Sequence, residues 1–125
     1  MGKAPKATIR WLTEPEEHNY PAANSYLRLS YTDKDAARLV RELERAPMTE
    51  FKSRDIFRAS GLSLLGVSNS RVQNDIKKIA AGKKLSPILL VRDTKRARVI
   101  IADGYHRLCA LYTFDEDAVI PCKIV

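Results

Sequence analysis

Cysteine, long apolar runs and well-placed aromatics are scarce in this chain, and each scarcity excludes something. Two cysteines in 125 residues, Cys109 and Cys122, are too few for a disulfide framework, so a reducing, cytoplasmic setting is expected. No apolar run approaches the roughly 18 residues that span a bilayer, and no membrane partner is expected. Residues 1–10 are basic but lack the apolar core of a secretion signal. Aromatics make up 7% of the chain and interleave poorly with its basic residues, which argues against a stacking platform for single strands. Internal repeats and low-complexity segments are absent.

Acids are scarce in one place. Between Ser68 and Arg107 stand ten basic residues and only Asp75, Asp93 and Asp103 as acids. The remainder of the chain is balanced, so the whole net charge of +7 lies in this block. A positive field concentrated there favours nucleotides or polyanions as partners; the plainer alternative is a basic surface that serves solubility.

The length is that of one domain with a modest core. Residues 1–25 carry Pro5, Pro15 and Pro21 among charges without periodicity. They read as an extended arm or mobile tail anchored by Trp11 and Leu12, leaving 26–125 as a single domain. Residues 26–31 alternate weakly, as a short strand would. Thr32 followed by Asp35 is a helix start, and Ala36, Leu39, Val40, Leu43 and Ala46 continue it until Pro47. A short helix over 53–61 turns Ile56 and Phe57 inward, and the apolar connector Leu62, Leu64, Leu65 and Val67 is expected to pack beneath the domain.

Ser70 and Gln73 have capping-box spacing. Val72, Ile76, Ile79 and Ala80 follow at helical intervals, and Gly82 suits a left-handed terminus. Pro87 then opens a strand over 88–91 whose continuous apolar run implies burial on both faces. Residues 93–96 form a charged turn and 99–102 the return strand. A helix over 105–113 buries Leu108, Leu111 and Tyr112. Residues 119–125 form a last strand, which Pro121 places at an edge or with its nitrogen outward. The expected class is α+β, a small mixed β-sheet covered by helices.

Chemistry concentrates where the return strand meets that helix, at Asp103-Gly104-Tyr105-His106-Arg107. The first amides of a helix lack intrahelical partners and carry the positive end of its dipole. Gly104 would let a ligand approach the backbone, and Arg107 would add a fork of donors. This describes a phosphate site, or else a plain turn followed by two solvated polar residues. His106 could serve as general acid or base, with phosphate binding preferred. Asp103 could hold a magnesium ion, with an ordinary turn acid preferred. Cys109 and Cys122 are better read as buried thiols than as zinc ligands beside His106.

The segments Pro-Ile-Leu-Leu-Val at 87–91, Ile-Ile-Ala-Asp-Gly-Tyr-His-Arg-Leu-Cys-Ala-Leu at 100–111 and Ile-Pro-Cys-Lys-Ile-Val at 120–125 resemble the ParB/sulfiredoxin-like superfamily. Arg71-Val72-Gln73 falls where sulfiredoxins have Lys-Val-Gln, and the resemblance covers residues 68–125. It implies nucleotide-phosphate binding or phosphoryl handling at the turn, with ATP, ADP or CTP as the nucleotide; magnesium belongs only to the Asp103 alternative above. His106 and Arg107 match the phosphate-binding pair and Arg71 the helical lysine, while Asn74 and Lys78 face the same way. Tyr105 stands where sulfiredoxins need a cysteine nucleophile, so sulfinic-acid repair is not expected. No helix-turn-helix region follows the motif, so partition-type DNA recognition is not expected either. The alternative is a nuclease or nucleic-acid-binding accessory protein that uses the same anion site.

Overall fold

The computed structural model describes residues 8–66 and 68–125. Val67 of the apolar connector and the first seven residues of the arm lie outside them. The order is β1 (Arg10–Trp11), α1 (Asn19–Leu27), α2 (Asp33–Arg45), β2 (Thr49–Lys52), α3 (Ser53–Ser60), α4 (Ser70–Ala80), β3 (Lys84–Leu85), β4 (Ile88–Asp93), β5 (Arg98–Asp103), α5 (Tyr105–Phe114) and β6 (Val119–Ile124). The fold is mixed α and β.

The four-stranded sheet runs β2-β6-β4-β5. The β4 strand lies parallel to β6 and antiparallel to β5, so the sheet is mixed. Its apolar run alternates between two cores, as period-two geometry requires. Ile88 and Leu90 join Ile56, Val72, Ile79 and Leu108 from α3, α4 and α5. Leu89 and Val91 join Ala23, Leu27, Leu39 and Leu43 from α1 and α2. Helices therefore cover both faces, and Ile88 to Val91 are fully buried between them.

Local chemistry explains the ends of these elements. Thr32 accepts from the Asp35 amide at 3.1 Å, which caps α2, and α2 buries the stripe from Ala36 to Leu43. The cap of α4 lies one residue earlier than the Ser70 pattern suggests. Asn69 Oδ1 takes the amides of Arg71 and Val72 at 3.0 and 3.2 Å, because a side-chain carbonyl at that position reaches two free donors at once.

Several expectations are corrected. Residues 26–31 are not a strand: α1 runs to Leu27 and a turn follows. Part of the supposed arm is built into the fold. Tyr20, Ala23 and Leu27 enter the second core, Trp11 packs on the first, and β1 pairs in parallel with β3. Pro21 is tolerated because it sits in the first turn of α1, where its missing N–H has no partner to lose. Ser86 Oγ fixes the start of this helix, lying 2.5 Å from Asn19 Oδ1 and accepting from the Glu16 amide at 3.0 Å.

Likewise β6 is not an edge strand, since β2 pairs along its outer side. Pro121 is accommodated because pairing with β4 begins only at Cys122. Within the connector, Leu65 packs on the core, whereas Leu62 and Leu64 remain 42% and 46% exposed. Tyr112 is only partly buried and stacks at a tilt against Phe57, 5.0 Å between centroids.

Candidate anion site at the start of α5

Where β5 ends, the chain turns through Gly104 directly into α5, and α4 lies alongside. Arg71, Asn74 and Lys78 from α4 and Asp103, Gly104, Tyr105, His106 and Arg107 from the turn line one cleft of about 300 Å³. The eight residues singled out in the sequence are thus brought together. Spacing explains the α4 contribution: positions 71, 74 and 78 recur at three and four residues and share one helical face. That face is available because the opposite one is held in the core by Val72 and Ile79.

The α5 N-terminus has no side-chain cap among the described residues, and its first amides, which lack intrahelical partners, lie with the positive end of the dipole at the cleft. Arg71 makes no ion pair among the described residues, and Lys78 Nζ stands 3.9 Å from Asp75. His106 is partly exposed and its ring lies 5.6 Å from that of Tyr105.

Two of the expected roles change. Gly104 has φ +112°, and a Cβ there would stand 2.9 Å from both Ile88 Cγ1 and Arg107 Nη2. The glycine is therefore required by backbone conformation and packing rather than to admit a ligand. Arg107 is not a free fork: its Nη2 donates to Asp103 Oδ2 at 3.0 Å and to the Pro87 carbonyl at 3.3 Å, and its side chain is 18% exposed. Its buried Nε has no partner among the described residues. The arginine clamps the turn onto the start of β4 while lining the cleft, so its loss would also weaken folding. Asp103, considered as a magnesium ligand, has a carboxylate engaged by that clamp. No cluster of three or more acidic, histidine or cysteine ligands occurs among the described residues.

Tyr105 is unsuited to attack. Burial, reinforced by the neighbouring Cys109 thiol, pushes its phenol above the usual range, and its hydroxyl donates to the Ser63 carbonyl. Both cysteines are free and fully buried.

One lining residue escaped the sequence reading. Asp75 faces the cleft from α4 and is pushed above the usual carboxylate range by burial, against the pull of Lys78, Arg107 and His106. The single acid in that part of a basic helix resembles a solvated counter-charge, and local pattern carries no sign of its burial. No helix among the described residues is long and apolar enough to cross a membrane. Comparison with protein-family models, with curated proteins and with solved structures returns no match.

Proposed function

We propose that the α4–α5 cleft binds the phosphate groups of a nucleotide, and that the chain adopts the ParB/sulfiredoxin-like fold that its second half resembles. The observation that carries this reading is the convergence of the uncapped α5 N-terminus with Arg71, Lys78 and His106 in one cleft. Helix-start amides supply fixed donors to an anion, and the α4 cations supply charge that can close on it. Arg107 acts mainly by holding the turn in shape, with its buried Nε left without a partner among the described residues. Magnesium, where it takes part, arrives with the nucleotide, because Asp103 is already engaged by Arg107. Sulfinic-acid repair does not belong to this reading, since Tyr105 is a protonated, hydrogen-bonded phenol in the nucleophile's place.

Thermal unfolding with ATP, ADP, CTP and inorganic phosphate, each with and without magnesium, tests the proposal. Ligand at a hundred times its dissociation constant should stabilise the fold by about 2.7 kcal/mol. Replacing both Arg71 and Lys78 by alanine should abolish most of that gain while leaving the unliganded protein folded, because both side chains are largely exposed. If none of the four ligands stabilises wild type at low salt, the reading is wrong.

A further inference from the structure

The anion cleft is one end of a longer groove. A neighbouring cleft of about 420 Å³ shares Asp103, Gly104, Tyr105 and His106 with it and adds Tyr26 and Leu62. A third cleft, of about 690 Å³, shares Tyr26 and Leu62 in turn and continues to Arg92, Lys95, Arg96 and Arg98. The three follow β5, which is an edge strand of the sheet, from the α5 N-terminus back to the β4–β5 turn.

Charge along this groove is uneven in an informative way. At the turn end, Arg96 is paired with Asp93 at 3.2 Å, while Arg92, Lys95 and Arg98 make no ion pair among the described residues. At the other end stand Arg71 and Lys78. Between them lie Tyr26 and Leu62, 46% and 42% exposed. The sequence shows no interleaving of aromatics with basic residues because Tyr26 comes from α1, far from the basic block. The fold performs that interleaving.

We propose that this groove holds a single-stranded nucleic acid. One phosphate would occupy the α5 N-terminus and others would meet Arg92, Lys95 and Arg98. A base between them would lie against the Tyr26 ring and the Leu62 side chain. The first of these contacts rests on the function proposed above; the far cations and Tyr26 do not. Repeated anions with flat apolar groups between them match cations at both ends of a groove and an exposed ring in the middle. A mononucleotide would leave the turn-end cations unused. An extended peptide pairing with β5 would be held chiefly by main-chain bonds and would need no such cations at both ends.

The test is binding of a labelled short oligothymidylate, followed by anisotropy across a salt series, alongside calorimetry with ATP. Wild type should bind the single strand, with affinity falling as salt rises because condensed counterions are released. Replacing Arg92, Lys95 and Arg98 together by alanine should make the slope of log affinity against log salt shallower by about 2. The same change should weaken binding at least tenfold and leave ATP binding unchanged. Tyr26→Ala should weaken the single strand by about fivefold to a hundredfold. If ATP binds and the triple variant holds the single strand as wild type does, the groove proposal fails and the nucleotide site stands. If the single strand needs the turn-end cations but neither ATP binding nor an effect of Lys78→Ala is seen, the nucleotide site fails instead. Tighter binding of a duplex of the same length, or equal affinity for an oligoglutamate, would overturn the assignment to single strands.

Discussion

Replacing Gly104 by alanine tests the turn on which the site is built. Two costs follow from the structure. At φ +112° the backbone lies in the left-handed half of conformational space, where a Cβ costs about 1–2 kcal/mol. The new methyl would also stand 2.9 Å from Ile88 Cγ1 and 2.9 Å from Arg107 Nη2. Ile88 is fully buried in β4 and can yield only by disturbing the core, an overpacking cost of about 1–3 kcal/mol. Arg107 can swing aside, but it then gives up Asp103 and the Pro87 carbonyl, a loss of about 1 kcal/mol or more.

Together these put Gly104→Ala at about 3–6 kcal/mol of destabilisation. That is a third or more of the stability of many domains, which is about 5–15 kcal/mol. Gly82 supplies the control. Its φ is +70° but nothing lies within 4 Å of its missing Cβ, so Gly82→Ala should carry the backbone cost alone, about 1–2 kcal/mol. Urea unfolding followed by circular dichroism gives both values. Equal shifts in the two variants would refute the packing argument, and an unchanged midpoint for Gly104→Ala would refute the whole of it.

Three further outcomes are expected. Asp75 has a folded-state pKa raised above 3.8, so from pH 3.8 up to that raised value the folded protein holds more protons than the unfolded chain, and stability falls as pH rises through the window. Asp75→Asn should therefore be more stable than wild type at neutral pH and flatter across that window in urea titrations; a less stable variant would contradict the assignment. Lys123, 4% exposed, donates to the Glu44 carbonyl at 2.9 Å near the C-terminal end of α2, and Lys123→Met should cost about 1–3 kcal/mol by leaving that carbonyl unpaired. An unchanged unfolding midpoint would count against this cap. Burial pushes the Cys122 thiol up to about 12, and Cys109 is fully buried, so neither should react with a disulfide reagent at mildly alkaline pH until the protein unfolds; prompt native-state labelling would show the core to be open.

What local pattern can carry explains which parts of this fold are legible in the sequence. The capped start of α2, the period of α4 and the doubly buried run of β4 each follow from neighbours within a few residues, and each is found where the pattern puts it. The strand β2 is not legible: all four of its residues are exposed, so no apolar alternation marks it, and its strand geometry comes from pairing with β6. For α1 the misleading signals are a proline in the first turn and an N-cap, His18, that makes no capping bond. Its buried Tyr20, Ala23 and Leu27 do keep helical spacing, and that was the available signal.

The site divides along the same line. Which residues surround the turn can be read from helical phase, because α4 presents 71, 74 and 78 on one face and α5 starts at a fixed point. What each residue does there depends on contacts made across the sheet. Gly104 and Arg107 look like ligand-facing residues until Ile88, at the start of β4, and Pro87, just before it, are in view. Both then serve two ends at once, since the contacts that lock the turn to β4 also fix the direction of the α5 dipole. On the function proposed above, an anion at that N-terminus would meet a rigid element, with the exposed cations of α4 free to adjust. On this arrangement, variants at Arg71 and Lys78 should change affinity with little effect on folding, whereas variants at the turn should change both together.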